Sequence, residues 1–344
     1  MIRWRRGTVV SVGRSWPGSV ELMVDVDGRP VAALAHPALV GDPVVGDTVL
    51  LNVGALDLDL GTGGYALVVA LPDRLPPDRE GPGHLVKARY TPLQTVVLGA
   101  DEQGSPHHDV LADGPALPDT PVVVADLHSS LPAVLVGLGA GLRVAYVMTD
   151  GGALPLWFSR TVAALSDRLI GTVTVGQAFG GDLECVTLHS GLLAAVHVLG
   201  ADVVVVTQGP GNLGTGTTWG FSGVATGEAV NAACTVGGRP VGVLRMSQAD
   251  PRERHRGLSH HSRTAYGRVA LSRADLVVPR SVADLVDGSD FPQHRLVEVD
   301  DSGLVTSLAA SGLPMSTMGR GLDTDPLSFV AACAAGVHAR SLLG

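Results

Sequence analysis

Five short runs of almost uninterrupted apolar residues, Val122–Asp126, Arg143–Met148, Gly171–Val175, Val203–Thr207 and Pro240–Met246, recur through the second half of the chain. A strand that is apolar at every position has both faces buried, and that is the situation of a parallel sheet covered by helices. Helical patterns fall between the runs, near residues 131–138, 157–165, 183–199, 222–236 and 259–271. Further strands are expected at Leu276–Val278 and Arg295–Val299, and a last helix from about Leu327. Residues 121–344 are therefore expected to form an α/β ligand-binding domain, a mostly parallel sheet with helices on both faces.

Residues 1–75 follow a different rule. Short alternating runs broken by turn signals such as Asp27-Gly28 and Gly41-Asp42-Pro43 predict a small SH3-like or OB-like β-barrel. The proline-rich stretch Leu71–Asp78 marks its edge, and residues 76–120 read as a connector with one strand near Thr95–Leu98 and a polar loop, Ser105–Asp109. With 45% hydrophobic and 17% charged residues the chain is a folded one. A formal charge of -9 argues against nonspecific duplex binding. No window reaches the ~18–20 apolar residues of a membrane helix. The basic start, Met1–Arg6, leads into no apolar signal core, so the cytoplasm is the expected location. A homo-oligomer is compatible with this composition.

Ligands of open parallel sheets bind at the carboxyl ends of the strands. The loops expected there are polar or glycine-rich, whereas the opposite joins, such as Gly139-Ala140-Gly141, are plain glycine helix stops. One loop carries Gly209, Gly211 and Gly214 in the spacing of a dinucleotide fingerprint, but no helix opens at the third glycine and no acidic residue ends the next strand. A general anion nest, built from the backbone of Gly209, Gly211, Gly214 and Gly216 with the hydroxyls of Thr215, Thr217 and Ser222, needs fewer assumptions. A glycine-rich crossover with no ligand is the alternative.

A second loop holds Arg245, Arg252, Arg254, Arg256, Arg263 and Arg268 against Asp250 and Glu253, and three of the twelve histidines. Arginine forks suit phosphate or carboxylate, and Arg254 and Arg256 are the candidates for an anionic small molecule. Ser259 is a good helix N-cap, which places His260 and His261 in a first turn whose positive end favours neutral imidazole. His255 with His260 or His261, joined by His128, Asp250 or Asp126, could form a zinc or manganese site. Adjacent residues point about 100° apart on a helix, so His260 and His261 are not expected to face one ligand together. A single catalytic histidine is the competing reading. Asp126, Asp150 and Asp250 are the candidate catalytic carboxylates, and they suit helix N-caps equally well.

Gly180-Gly181-Asp182-Leu183-Glu184, Gly214-Thr215-Gly216-Thr217 with Gly220-Phe221-Ser222-Gly223, and the phrase from Arg254 to Ser262 together resemble an uncharacterised bacterial protein family, a domain of unknown function in actinobacteria and some firmicutes. The resemblance covers most of the chain and implies no activity.

Three functions remain open on this reading. The first is a cytoplasmic enzyme acting on a phosphorylated or nucleotide-like small molecule by hydrolysis or group transfer. The second is a metabolite sensor or scaffold whose barrel contacts a partner. The third, an unlikely one for so acidic a chain, is nucleic-acid binding through Arg3, Arg5, Arg6 and Arg14 with Trp4 and Trp16, although these tryptophans are expected to close the barrel core instead.

Overall fold

The computed structural model describes residues 1–78 and 80–344; Arg79, inside the expected connector, lies outside the described residues. Two compact units emerge, Met1–Val97 with Trp157–Ala163, and Leu98–Leu156 with Ala164–Gly344.

In the first unit, β1 (Trp4–Trp16), β2 (Ser19–Val26), β3 (Arg29–Ala35), a one-turn helix α1 (Pro37–Val40), β4 (Thr48–Asn52) and β5 (Ala66–Ala70) form a closed barrel of order β1-β2-β3-β5-β4. Alternation along β2 sends Val20, Leu22, Val24 and Val26 inward and Met23 and Asp25 outward, as a one-sided strand requires. β3 runs parallel to β5 while the other pairs are antiparallel, and the helix lies between β3 and β4. That connectivity selects the OB-like alternative. The tryptophans do not fill the core: Trp4 is exposed and Trp16 donates from its indole to the Trp157 carbonyl, while Val9, Leu22, Val24, Val49 and Leu51 pack inside. Small aliphatic side chains suffice for so narrow a barrel. Arg3 and Arg5 pair with Asp57, Arg6 with Asp73 and Arg14 with Glu21, so the basic N-terminus is largely neutralised locally. A two-stranded ribbon, β6 (Leu85–Lys87) and β7 (Thr95–Val97), completes this unit.

The second unit begins with a short helix, α2 (His108–Leu111), and continues through β8 (Pro121–Ala125), α3 (Leu131–Leu138) and β9 (Val144–Thr149), then, past α4 (Arg160–Ala164), whose first four residues belong to the first unit, through β10 (Gly171–Thr174), β11 (Leu183–Glu184), α5 (Leu188–Leu193), β12 (Val203–Gln208), α6 (Ala225–Thr235) and β13 (Arg239–Val243). A tight ribbon of β14 (Met246–Ser247) and β15 (Gly257–Leu258) precedes α7 (His260–Thr264), β16 (Asp275–Pro279), β17 (Arg295–Val299), α8 (Leu304–Ala310), a second ribbon of β18 (Ser316–Thr317) and β19 (Arg320–Gly321), and α9 (Pro326–Ser341). Eight strands build one sheet of order β11-β10-β9-β12-β8-β13-β16-β17, parallel throughout, with helices on both faces. The apolar runs have the predicted burial: every residue of β8 is buried, as are all six of β12. Among the described residues no helix is long and apolar enough to cross a membrane.

The helix expected over 183–199 starts later. Glu184 is anchored by the Thr174 hydroxyl and the Gly180 amide, which holds residues 183–184 as an edge strand. Thr187 then caps α5 by accepting from the Ser190 amide, and a π-turn, Ala194–Val198, carries the helix on. α3 and α9 approach closely because Gly137 and Gly336 oppose backbone: a Cβ on Gly137 would stand 2.0 Å from the Cys333 carbonyl oxygen.

The strand order contains the feature that matters for function. From β8 the chain moves outward to β9, β10 and β11, returns to insert β12 beside β8, then crosses to β13 on the other side. The chain leaves β8 toward β9 and leaves the neighbouring β13 toward β16, in opposite directions across the sheet, and such a switch point opens a crevice at the carboxyl ends.

Candidate functional site at the carboxyl ends of the central strands

Asp126 leaves β8 at this switch point and is 6% exposed. Its Oδ2 accepts from Nη1 of Arg245, just beyond β13, at 2.9 Å, and lies 2.9 Å from Nδ1 of His261. Its Oδ1 accepts from Asn212 of the glycine loop at 2.8 Å, and its carbonyl from Gln208, the last residue of β12. Three adjacent strand ends thus converge on one carboxylate. Burial works to raise the Asp126 carboxyl, but the hydrogen bond with His261 and the charge of Arg245 outweigh it and hold the group below the ordinary carboxylate range. No side chain fits at Gly223, where a Cβ would stand 1.8 Å from Asp126 Oδ1.

Ser259 caps α7 as the sequence predicts, accepting from the His261 amide at 3.2 Å. The same hydroxyl lies 2.7 Å from Nδ1 of His255, which sits in a 3-10 turn, Glu253–His255, beside the helix start. That placement overturns the expectation that His260 and His261 diverge. His255 stands alongside the first turn, so both meet it: ring centroids lie 5.0 Å apart for His255–His260, 4.9 Å for His255–His261 and 4.6 Å for His260–His261. One ligand nitrogen from each lies within 4.8 Å of the others. Phe221 stacks on His261 at 3.6 Å and 11°. Burial, reinforced by the charge of Arg245, pushes His255 down to about 3; burial and the neighbouring His261 push His260 down to about 4. Both are neutral at pH 7. His260 Nε2 is buried with no hydrogen-bond partner among the described residues.

Other expected residues lie elsewhere. His128 does not join the trio's ligand group: its Nδ1 is 2.9 Å from the Tyr146 hydroxyl, and burial drives it down to about 4. Asp150 is exposed and accepts from the Gln177 amide, which is a loop-capping role. Asp250 is a structural anion. Its carboxylate takes Arg252 at 2.8 Å and Arg320 at 3.1 Å, and the Arg252 hydrogen bond above all holds it far below the carboxylate range. Arg256 donates to the Asp250 carbonyl, whereas Arg254 is exposed against Gly216 with no ion-pair partner among the described residues. The hydroxyls of Thr215, Thr217 and Ser222 close the glycine loop on itself. Thr215 bonds Thr217 and the Gly220 carbonyl, and Ser222 bonds Asn212. Gly211 and Gly216 adopt positive φ, Gly209 is pressed against Ala153, and a short hairpin occupies residues 214–221 where a dinucleotide fingerprint would start its helix.

Sequence reasoning missed Asn212, Gln208, Phe221, Arg320 and Asp325. Asp325 accepts from Ser247, the Gln248 amide and Arg320. Asp325-Pro326 ahead of an apolar helix was the visible signal for the last of these. An open cleft adjoins the Asp126–Arg245 pair, lined also by Ser129, Ser130, Thr317 and Arg320.

No curated protein and no solved structure matches the chain. A sequence model of the family described as "Protein of unknown function (DUF3866)" matches residues 32–336, most of the chain, and the chain belongs to that family.

Proposed function

We propose that the chain is a cytoplasmic enzyme that hydrolyses, or transfers a group from, a phosphorylated or nucleotide-like small molecule at this crevice. The observation that carries the reading is the Asp126 carboxylate, which orients His261 and Arg245 through one oxygen at the sheet's switch point. A carboxylate that fixes a histidine's Nδ1 sets its tautomer and turns Nε2 toward the chemistry. Neutral imidazoles beside it are in the form needed to activate water, as bases or as ligands. Arg254, exposed beside the glycine loop with no ion-pair partner among the described residues, supports an anionic substrate, and the hydroxyls of Ser129, Ser130 and Thr317 line the cleft. A pure sensor has no need of the Asp126–His261 contact, which is why the enzymatic reading is preferred.

Thermal unfolding against inorganic phosphate, nucleotides and sugar phosphates tests it. A binder at a hundred times its dissociation constant adds about 2.7 kcal/mol. Arg254→Ala should weaken that binder about tenfold or more without lowering the unfolding temperature of the free protein. Asp126→Asn should abolish turnover of the same compound. No shift with any phosphorylated compound, or turnover that survives in Asp126→Asn, ends the proposal.

A further inference from the structure

We infer that His255, His260 and His261 form a three-imidazole site for one borderline divalent transition-metal ion of the zinc class, with an open coordination position. The inference rests on the same histidine cluster as the proposed activity and names its cofactor.

Four observations support it. One nitrogen from each ring already lies within 4.8 Å of the other two. Tetrahedral bonds of 2.0–2.1 Å need nitrogens about 3.3 Å apart, so closure requires side-chain adjustments of about an ångström and no change of fold. Two of the imidazoles have Nδ1 held by an oxygen, His261 by Asp126 and His255 by Ser259. That is the orienting contact metal-binding histidines make through the nitrogen that does not ligate. The third, His260, has a buried Nε2 with no partner. An orphaned polar atom of this kind costs about 1–3 kcal/mol, which a bound ion would offset. Finally, the stacked Phe221 and the capped helix fix the cluster in place, where a merely structural filling would be served better by aliphatic side chains.

Ligand chemistry selects the ion. Three imidazoles and no carboxylate suit zinc or cobalt(II), whereas manganese and magnesium prefer oxygen. The expectation of a mixed site with Asp250 or His128 is replaced, since Asp250 is bound by two arginines and His128 lies with Tyr146. Arg245 and Arg254 add positive charge nearby, Arg245 offset by Asp126 and Arg254 placed to meet an anionic ligand of the ion.

The test uses the full chain stripped with a chelator and reloaded with Zn²⁺, Co²⁺ or Mn²⁺. The expected result is one Zn²⁺ or Co²⁺ per chain, visible d–d bands for cobalt, and an unfolding temperature raised by roughly 5–10 °C at a hundredfold excess over the dissociation constant. Mn²⁺ at the same concentration should give no shift. His260→Ala and the milder His260→Gln should each remove the cobalt spectrum while far-ultraviolet circular dichroism stays unchanged. Asp126→Asn should weaken zinc 10- to 100-fold. His189→Ala, on an exposed helix position, should change nothing. Less than one ion per chain, or binding that survives in both His260 variants, overturns the inference. Metal binding with no phosphorylated ligand in the panel overturns the proposed activity alone, and a phosphorylated ligand bound by a chain that takes up no ion overturns the metal site alone.

Discussion

Two buried carboxylate–arginine clusters lie at the same end of the sheet, and they differ in what they leave unsatisfied. Around Asp250, Arg252 and Arg320 occupy the carboxylate, Arg320 also pairs with Asp325, and Asp325 is filled by Ser247 and the Gln248 amide. Every charge there has its partner inside the chain. Around Asp126 the carboxylate is equally well filled, by Arg245, His261 and Asn212, but the histidines it helps to hold retain unused nitrogens, and His260 Nε2 has none of its needs met. The first cluster ties the arginine loop to the ribbon before α9. The second holds His261 in place beside a histidine, His260, whose Nε2 has no hydrogen-bond partner among the described residues. Charge content alone does not separate the two; satisfaction does.

The largest effect expected from breaking this contrast is at Asp250. Asp250→Ala takes the ion-pair partner from Arg252, leaves Arg320 with Asp325 alone, and should destabilise the fold by about 3 kcal/mol, read from urea unfolding. Zinc affinity should then change less than threefold in the protein that remains folded. A large loss of affinity without a loss of stability would show that the two clusters are one.

Gly223→Ala attacks the other side. Its Cβ would overlap Asp126 Oδ1, so the loop must move, with a cost of about 1–3 kcal/mol. Here ligand or metal binding should fall together with stability, which urea titration and zinc titration on one sample would show.

pH separates the clusters more gently. Burial depresses His128 from 6.5 to about 4 and His255 from 6.5 to about 3. Below pH 6.5 the unfolded chain takes up protons that the folded chain refuses, so stability falls as pH drops from 6.5 toward 4, by roughly 1.4 kcal/mol per pH unit for each. Asp250 has the same sign in a lower window: its lowered value stabilises the fold above the ordinary carboxylate value, 3.8, and that contribution is lost as pH falls below it. Unfolding midpoints between pH 6.5 and 4.5 should therefore decline in the wild type and decline less steeply in His255→Asn, with Asp250 intact throughout. The smallest effect belongs to Phe221→Leu. It removes the stack on His261 and should cost about 0.5–1.5 kcal/mol, with a measurable drop in cobalt affinity as the ring loosens.

Much of the fold was legible because burial imposes it locally. Uninterrupted valines in β12 and β8 require cover on both faces, and a parallel sheet supplies it. The edge strand β11 was not legible, since Leu183 and Glu184 carry no strand pattern and are extended by pairing with β10 and by the Glu184 contacts to Thr174 and Gly180. The glycine loop and the histidine phrase were visible as separate signals. That they meet on Asp126, and not on Asp150 at the end of β9, follows from strand order, which periodicity does not encode.

By itself, then, the sequence determined the strands, the capped turn at Ser259 and the concentration of histidines and arginines near it, because propensity, capping and apolar patterning act over a few residues. Tertiary structure alone decided which of those groups are partners. His255 enters beside a helix whose own geometry would have parted His260 from His261, and Arg320 arrives from a ribbon seventy positions beyond Asp250 to saturate it. Contacts of such sequence separation are fixed by the crossing of β12 and β13 around β8, where backbone topology and no local preference sets the distance.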